Sequence, residues 1–314
     1  MGSRRPGRLV SRFIALIYVA ILVLVPLVVV TWKTVSPGPS AFWSAISSEQ
    51  AVTAFRLTAE IALAAVALNT VFGVGLALLI TRYRFPGRRL LSALADLPIS
   101  VSPIVVGLAL VLVYGPVDGW FGKGLHDAGI DIIFAVPGMI LATTFVSLPL
   151  ILRELVPVLL EAGTEQEQAA RVLGAGAWQR FVRITLPIIR PALMYGIVLS
   201  LARSIGEFGA VLVVSGNVSG AGQTQTVPLL VSERVQQLEP GSYQLAFLLI
   251  MVTVLAIVLV SLRRERSGSR EPGPNEGALD DLTGGGVAPA VPAQPAGVAP
   301  SDSHTIALDK DGPR

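Results

Sequence analysis

The sequence predicts an all-α membrane protein, and three observations carry the prediction. Hydrophobic residues fill 52% of the 314 positions and charged residues only 14%, where soluble domains carry about 25% charge. The apolar residues gather into six runs, near 13–32, 57–81, 94–114, 132–155, 188–214 and 243–262. Each is close to the ~20 residues that a helix needs to cross a bilayer. Lys and Arg are distributed unevenly between alternate connections. A transmembrane barrel would show alternating strands of about 10 residues instead, and these runs do not alternate.

Residues 1–12 form a basic head with Arg4, Arg5, Arg8 and Arg12. The run after it is longer than the roughly 7–15 residues of a signal-peptide core and has no small-residue cleavage site. It reads as a retained first span, followed by an extracytoplasmic segment to residue 56. With the N-terminus inside, the cytoplasmic segments collect the head, Arg82, Arg84, Arg88, Arg89, Arg153, Arg171, Arg180, Arg183, Arg190, Arg263, Arg264 and Arg266. The outside keeps only Lys33, Arg56, Lys123 and Arg234. Positive charge stays inside, so both termini are expected in the cytoplasm. From about Ser267 onward the chain becomes Gly-, Pro-, Ala- and Asp-rich. Such composition cannot offset its ordering entropy, and residues 263–314 read as a disordered cytoplasmic tail.

The longest polar interlude runs from Glu161 to Pro191 and lies on the cytoplasmic side. Thr164 with Glu167 three residues later has the form of a capping box. Gln168, Ala169, Ala170, Val172 and Leu173 continue that helix, and Gly174 can end it in a left-handed cap. A second short helix carries Trp178, Phe181, Val182 and Ile184 on one side, with Gln179, Arg180 and Arg183 on the other. Pro187 and Pro191 punctuate its exit. An amphipathic pair of helices between spans needs something to hold, which is either another protein or the lipid surface. Small residues at 169, 170 and 174 favour a close protein contact.

Composition also excludes chemistry. The chain has no cysteine and two histidines, His126 and His304, so thiolate, Ser-His-Asp and metal sites are not expected. The nearest approach to a phosphate loop, Gly122-Lys123-Gly124, lacks the following Ser or Thr and the earlier glycine. No ATPase site is expected in this chain.

The motifs resemble those of a known family. Gln168-Ala169-Ala170, Gly174 and Ile184-Thr185-Leu186-Pro187 match the spacing of the "EAA" loop of ABC-importer permeases, with glutamine in the glutamate position. Asn69-Thr70-Val71-Phe72-Gly73, Arg84-Phe85-Pro86-Gly87-Arg88, Asp96-Leu97-Pro98, Ser100-Val101-Ser102-Pro103 and Ala202-Arg203-Ser204-Ile205-Gly206-Glu207-Phe208-Gly209-Ala210 resemble the sulfate/thiosulfate branch, in its W-type subunit. Molybdate permeases share a Gly-Glu-Phe-Gly run, so a molybdate or tungstate importer is the alternative. A secondary anion transporter without an ATPase is a more distant one.

The resemblance implies the six-helix type I ABC importer fold, with residues 57–262 as the permease core and 161–187 as its coupling loop. It implies ATPase contact by Glu167, Gln168, Ala169, Ala170, Gly174 and Trp178. It also implies a T-type paralogue, two copies of a cytoplasmic ATPase that bind the ATP and Mg, and an extracytoplasmic sulfate-binding protein. No cofactor is expected in this subunit.

Arg203 and Glu207 fall inside the fifth run, about 20 Å deep at ~1.5 Å per residue. Charges at such depth normally face a bundle or a cavity. Their spacing suits either a self-neutralising pair or a gate on the anion path. Pro98 and Pro103 interrupt the third run beside Asp96, Ser100 and Ser102. A broken helix there would offer backbone N–H groups to an anion, or it would be a simple kink. Glycines at 73 and 75 are read as close-packing positions.

Overall fold

Residues 6–218 and 224–268 are described by the computed structural model, with side chains for 13–218 and 224–258. The predicted basic head and the tail beyond 268 lie outside the described side chains. The described chain is all helix. In order it has α1 (Pro6–Val35), α2 (Pro39–Ile46), α3 (Glu49–Arg82), α4 (Arg88–Ser100), α5 (Pro103–Tyr114), α6 (Gly122–Asp127) and α7 (Val136–Glu161). There follow α8 (Glu165–Val172), α9 (Ala177–Arg180), a π-helical turn (Phe181–Thr185), α10 (Leu186–Ile205), α11 (Gly209–Ser215), α12 (Val227–Gln236) and α13 (Ser242–Gly268).

Each expected run maps onto this order, and two of them are not straight. The third run divides into α4 and α5, whose axes turn through 114°. Ser102 is held extended at φ −59°, ψ 132° because the ring of Pro103 disfavours the α region for the residue before it. The fifth run stops at Ile205, and Gly206–Phe208 separates α10 from α11. The last helix continues to Gly268, past the expected limit at 262.

α3 is the spine of the bundle. It starts on Ser48, whose hydroxyl accepts from Ala51 N–H at 3.4 Å, and at ~1.5 Å per residue it is about 50 Å long. Three apolar clusters are stacked along it. Ala51 and Ala54 pack with Val227, Leu230 and Leu245 at the start of α3. Leu57 and Ile61 meet Met139, Ala142, Val146, Val211 and Val106 in the middle. Ala77 meets Ile151, Leu155, Leu159, Ile189 and Leu193 near the Arg82 end. α4 adds Ala95 to that last cluster, whereas α5 adds Val106 to the middle one. The bent pair therefore spans both halves of the bundle.

Close approach at Gly73 is required, because a Cβ there would stand 2.9 Å from Ile151 Cγ2. Gly75, expected to act likewise, faces open space. Side-chain polarity also ties the middle together. Asn69 Nδ2 donates to Ser147 Oγ at 2.8 Å, and Ser204 Oγ to Ser147 Oγ at 3.3 Å, linking α3, α7 and α10. From Phe13 to Lys33, α1 has no buried side chain within the chain. It is fastened at its end, where Thr34 Oγ1 donates to Tyr243 O at 3.1 Å.

The connection from α5 to α7 holds a histidine–carboxylate pair whose strength depends on pH. His126 Nδ1 lies 2.6 Å from Asp131 Oδ1. That hydrogen bond, and then the carboxylate's charge, raise the histidine above its ordinary 6.5. The pair is therefore at full strength below 6.5 and fades as pH rises through the raised value. Asp131→Asn should return the His126 midpoint towards 6.5, as read by NMR titration of the imidazole. An unmoved midpoint would refute the assignment.

Candidate functional site

The Glu161–Pro191 segment folds as a helix, a turn and a second helix, but its start differs from the expected capping box. The Thr164 side chain makes no cap to the α8 backbone. It accepts instead from Gln168 Nε2 at 2.8 Å. Glu167 turns away towards Arg82, with Nε and Nη2 both 3.1 Å from its Oε1. A guanidinium in this largely covered site wins over a backbone N–H because both partners are charged.

The end of α8 is as expected. Gly174 sits at φ +85°. Ala175 N–H donates to Ala170 O at 3.0 Å and Gly174 N–H to Arg171 O at 3.0 Å, the paired bonds of a Schellman cap. Gly176 N–H then donates to Gln179 Oε1 at 3.1 Å to open α9. Trp178 packs on Phe181 with ring centroids 5.7 Å apart.

The turn carries an apolar tip. Val172 is 88% exposed, Leu173 87% and Trp178 74%. Gln168 and Ala169 are exposed with them, and Ala170 is half-buried. Val172 and Leu173 were expected only to continue the helix; the fold makes them the most outward part of the loop. Glu167 was expected among the contact residues, yet its carboxylate is only 19% exposed and is already taken. Glu165 is the acid of α8 that remains exposed.

The second group of candidates divides in two. Asp96 pairs with Arg153 of α7 at 3.4 Å, both about half exposed, and it does not join the other charges. Arg203 Nη1 lies 2.6 Å from Glu207 Oε2, with side chains 37% and 2% exposed. The expected pair is therefore made, but not on the face of one continuous helix. Glu207 lies beyond the end of α10, and its Oε1 accepts from Ala210 N–H at 2.9 Å at the start of α11. One carboxylate thus neutralises the last turn of α10 and caps α11.

The two helix breaks meet. A Cβ on Gly209 would be 3.1 Å from Pro103 Cβ, and one on Gly107 only 2.7 Å from Ala210 O. So α5 and α11 run side by side in the same direction, and their starts adjoin. Ser100 and Ser102 are exposed at that junction. The sequence offered no signal for this meeting beyond two glycines, since it depends on residues a hundred positions apart. Asn69, Ser147, Ser200 and Ser204 were also missed as a buried cluster, although a lone Asn inside an apolar run is a usable signal.

These features define a polytopic membrane protein with an exposed helical loop at one end and a broken-helix junction near the middle. The sequence matches the family described as "binding-protein-dependent transport system inner membrane component" over residues 69–264, and the chain belongs to that family. Among curated relatives, it is 45% identical over 256 residues to the sulfate transport system permease protein CysW of Synechococcus elongatus, covering 81% of this chain and 88% of that protein. The CysW of Escherichia coli K12 is 43% identical over 84% of this chain and 88% of its own length. The CysT protein of the same strain is 36% identical over 87% of this chain and 99% of its own. In fold, the chain resembles a subunit of a bacterial ABC transporter that imports alginate. The TM-score is 0.68 at 18% identity, over 83% of this chain and 96% of that one.

Proposed function

We propose that this chain is a permease subunit of an ATP-driven importer for sulfate and thiosulfate. The observation that carries the reading is 43–45% identity, over more than four-fifths of the chain, to relatives named as sulfate transport permeases. In this reading the subunit sits in the cell inner membrane with both termini cytoplasmic and forms half of the pore. A T-type paralogue forms the other half, and an extracytoplasmic binding protein delivers the anion. Two copies of a cytoplasmic ATPase hold the ATP and Mg, and the subunit itself is not an enzyme.

The loop geometry supports its role as the coupling element. Exposed apolar side chains on a rigidly capped turn are what a helix-in-groove contact uses. Gln168, Ala169, Ala170, Gly174 and Trp178 would lie in that contact, with Val172 and Leu173 added. ATP-driven closure of the ATPases would then move the bundle and alternate its access.

The junction of α5 and α11 supports the anion path. Ser100, Ser102 and the start of α5 offer donors to an oxyanion. Arg203 tempers the field for a dianion while Glu207 holds it in place. Asp96, paired to Arg153, would brace α4 against α7 rather than meet the anion.

The test is uptake of labelled sulfate into proteoliposomes that hold the complete complex. Uptake should require both ATP and the binding protein. Unlabelled thiosulfate should compete, and molybdate and tungstate should compete only weakly. Uptake driven by a sodium or proton gradient without ATP would overturn the reading. Preferred competition by molybdate would move the substrate and leave the transporter class intact.

A further inference from the structure

The coupling loop has little apolar burial to hold it. No residue of α8 or α9 is buried, and α8 joins α7 through Gly163, at φ +64°. A push on such a loop would be absorbed at that joint unless something ties α8 to the bundle. Arg82, the last residue of α3, provides the tie. Its Nε and Nη2 are both 3.1 Å from Glu167 Oε1, and its Nη1 donates to Leu159 O at 2.8 Å. The same Glu167 oxygen accepts from Thr185 Oγ1 at 2.9 Å.

Four elements therefore converge on one ion pair. Leu159 and Thr185 are 1% and 4% exposed, and Leu159 belongs to the core cluster at that end of α3. Thr185 ends the π-helical turn that leads into α10, and such turns recur at functional sites. The side chains of Arg82 and Glu167 are 12% and 19% exposed, which limits solvent screening of the pair. Among the described residues, the hydrogen bonds from α8 to α3 and to the π turn are the ones that Glu167 accepts.

We infer that the Arg82–Glu167 pair is the latch that carries the motion of the coupling loop into α3, α7 and α10. The inference rests on the proposed ATPase coupling and assigns positioning roles to Arg82 and Glu167. Neither residue needs to touch the ATPase or the anion. Glu167 is then spent inside the chain, and with Gln168 uncharged, docking to the ATPase relies on the shape of the Val172–Trp178 tip.

The latch can be tested by charge reversal in the reconstituted complex. Arg82→Glu and Glu167→Arg are compared singly and together. The readouts are sulfate moved per ATP hydrolysed and ATPase subunit retained on purification. Each single reversal should lower the transport-to-hydrolysis ratio at least about tenfold with the ATPase still bound. The double reversal should restore most of that loss. Because the chain has no cysteine, a Cys pair placed at 82 and 167 and joined by a short bifunctional reagent should also restore coupling, which a merely structural contact would not predict.

Unchanged ratios in the single variants would overturn the latch, as would loss of the ATPase from them, which would mark Arg82 and Glu167 as folding or docking residues. Failure of both the swap and the cross-link to rescue would overturn it too. A wild-type complex without ATP-dependent uptake would instead refute the coupling reading itself, and the latch with it.

Discussion

Replacing Gly174 with valine should cut ATP-driven uptake at least about tenfold while the subunit stays in the membrane. Gly174 holds φ +85°, a left-handed conformation that costs an L-residue about 1–2 kcal/mol. A β-branched side chain is the least suited to it. Each ~1.4 kcal/mol is a factor of ten in an equilibrium, so the balance would shift about tenfold against the capped turn. No steric clash contributes, since a Cβ at this position meets nothing within 4 Å. Gly174→Asn is the matching control, because Asn enters the left-handed region readily, and it should keep most of the uptake. Gly174→Asp shares much of that tolerance and adds a charge to the contact face, so it separates turn from contact. If valine leaves uptake unchanged, the turn is not the transmission element.

Glu207→Ala is expected to give the largest loss of stability. Removing one partner of a buried ion pair costs about 3–5 kcal/mol. The lower end applies here because Arg203, at 37% exposure, can rehydrate in part. Ala210 N–H also loses the oxygen it donates to. By the usual scaling of midpoint with stability, about 3 kcal/mol corresponds to a drop of roughly 6–12 °C, measurable by thermal unfolding of the detergent-purified complex. Glu207→Gln keeps an acceptor for Ala210 and should lose less. Pairing Arg203→Gln with Glu207→Gln should recover stability further, because no unpaired charge remains. If that pair unfolds like the wild type but transports poorly, the charges serve the anion path as well as the fold. A Glu207→Ala variant with an unshifted midpoint would refute the pairing.

The loop was legible in the sequence to a good depth. Gly174 was identifiable as a left-handed cap because glycine is cheap there and the helix before it needed an end. The Gln168-Ala169-Ala170 spacing marked the residues proposed above for the ATPase contact. The capping box expected between Thr164 and Glu167 does not form, for a physical reason. A capping box is a local contact, and it was displaced by a guanidinium that arrives from α3, 85 positions away in the chain. No local pattern announces such a partner. For the same reason Val172 and Leu173 could be seen as helix-forming, but not as the exposed tip.

By itself the sequence determined an all-helical membrane protein with several apolar helices, the exposed loop and its cap, and the family. These follow from hydropathy, from backbone preferences of Gly and Pro, and from spacing within one segment, which are properties of neighbouring residues. Pro98 and Pro103 had already marked the third run as interrupted, and the tertiary structure decided for a break over a kink there; it alone showed that the fifth run breaks too, and that the two breaks adjoin where Gly209 meets Pro103. It also decided that Glu207 caps α11 while neutralising Arg203, and that Arg82 claims Glu167. Each of these depends on charged or close-packed groups brought together from distant segments. In a low-dielectric bundle a partner of opposite charge is worth more than a local backbone bond, so the long-range contact overrides the short-range pattern.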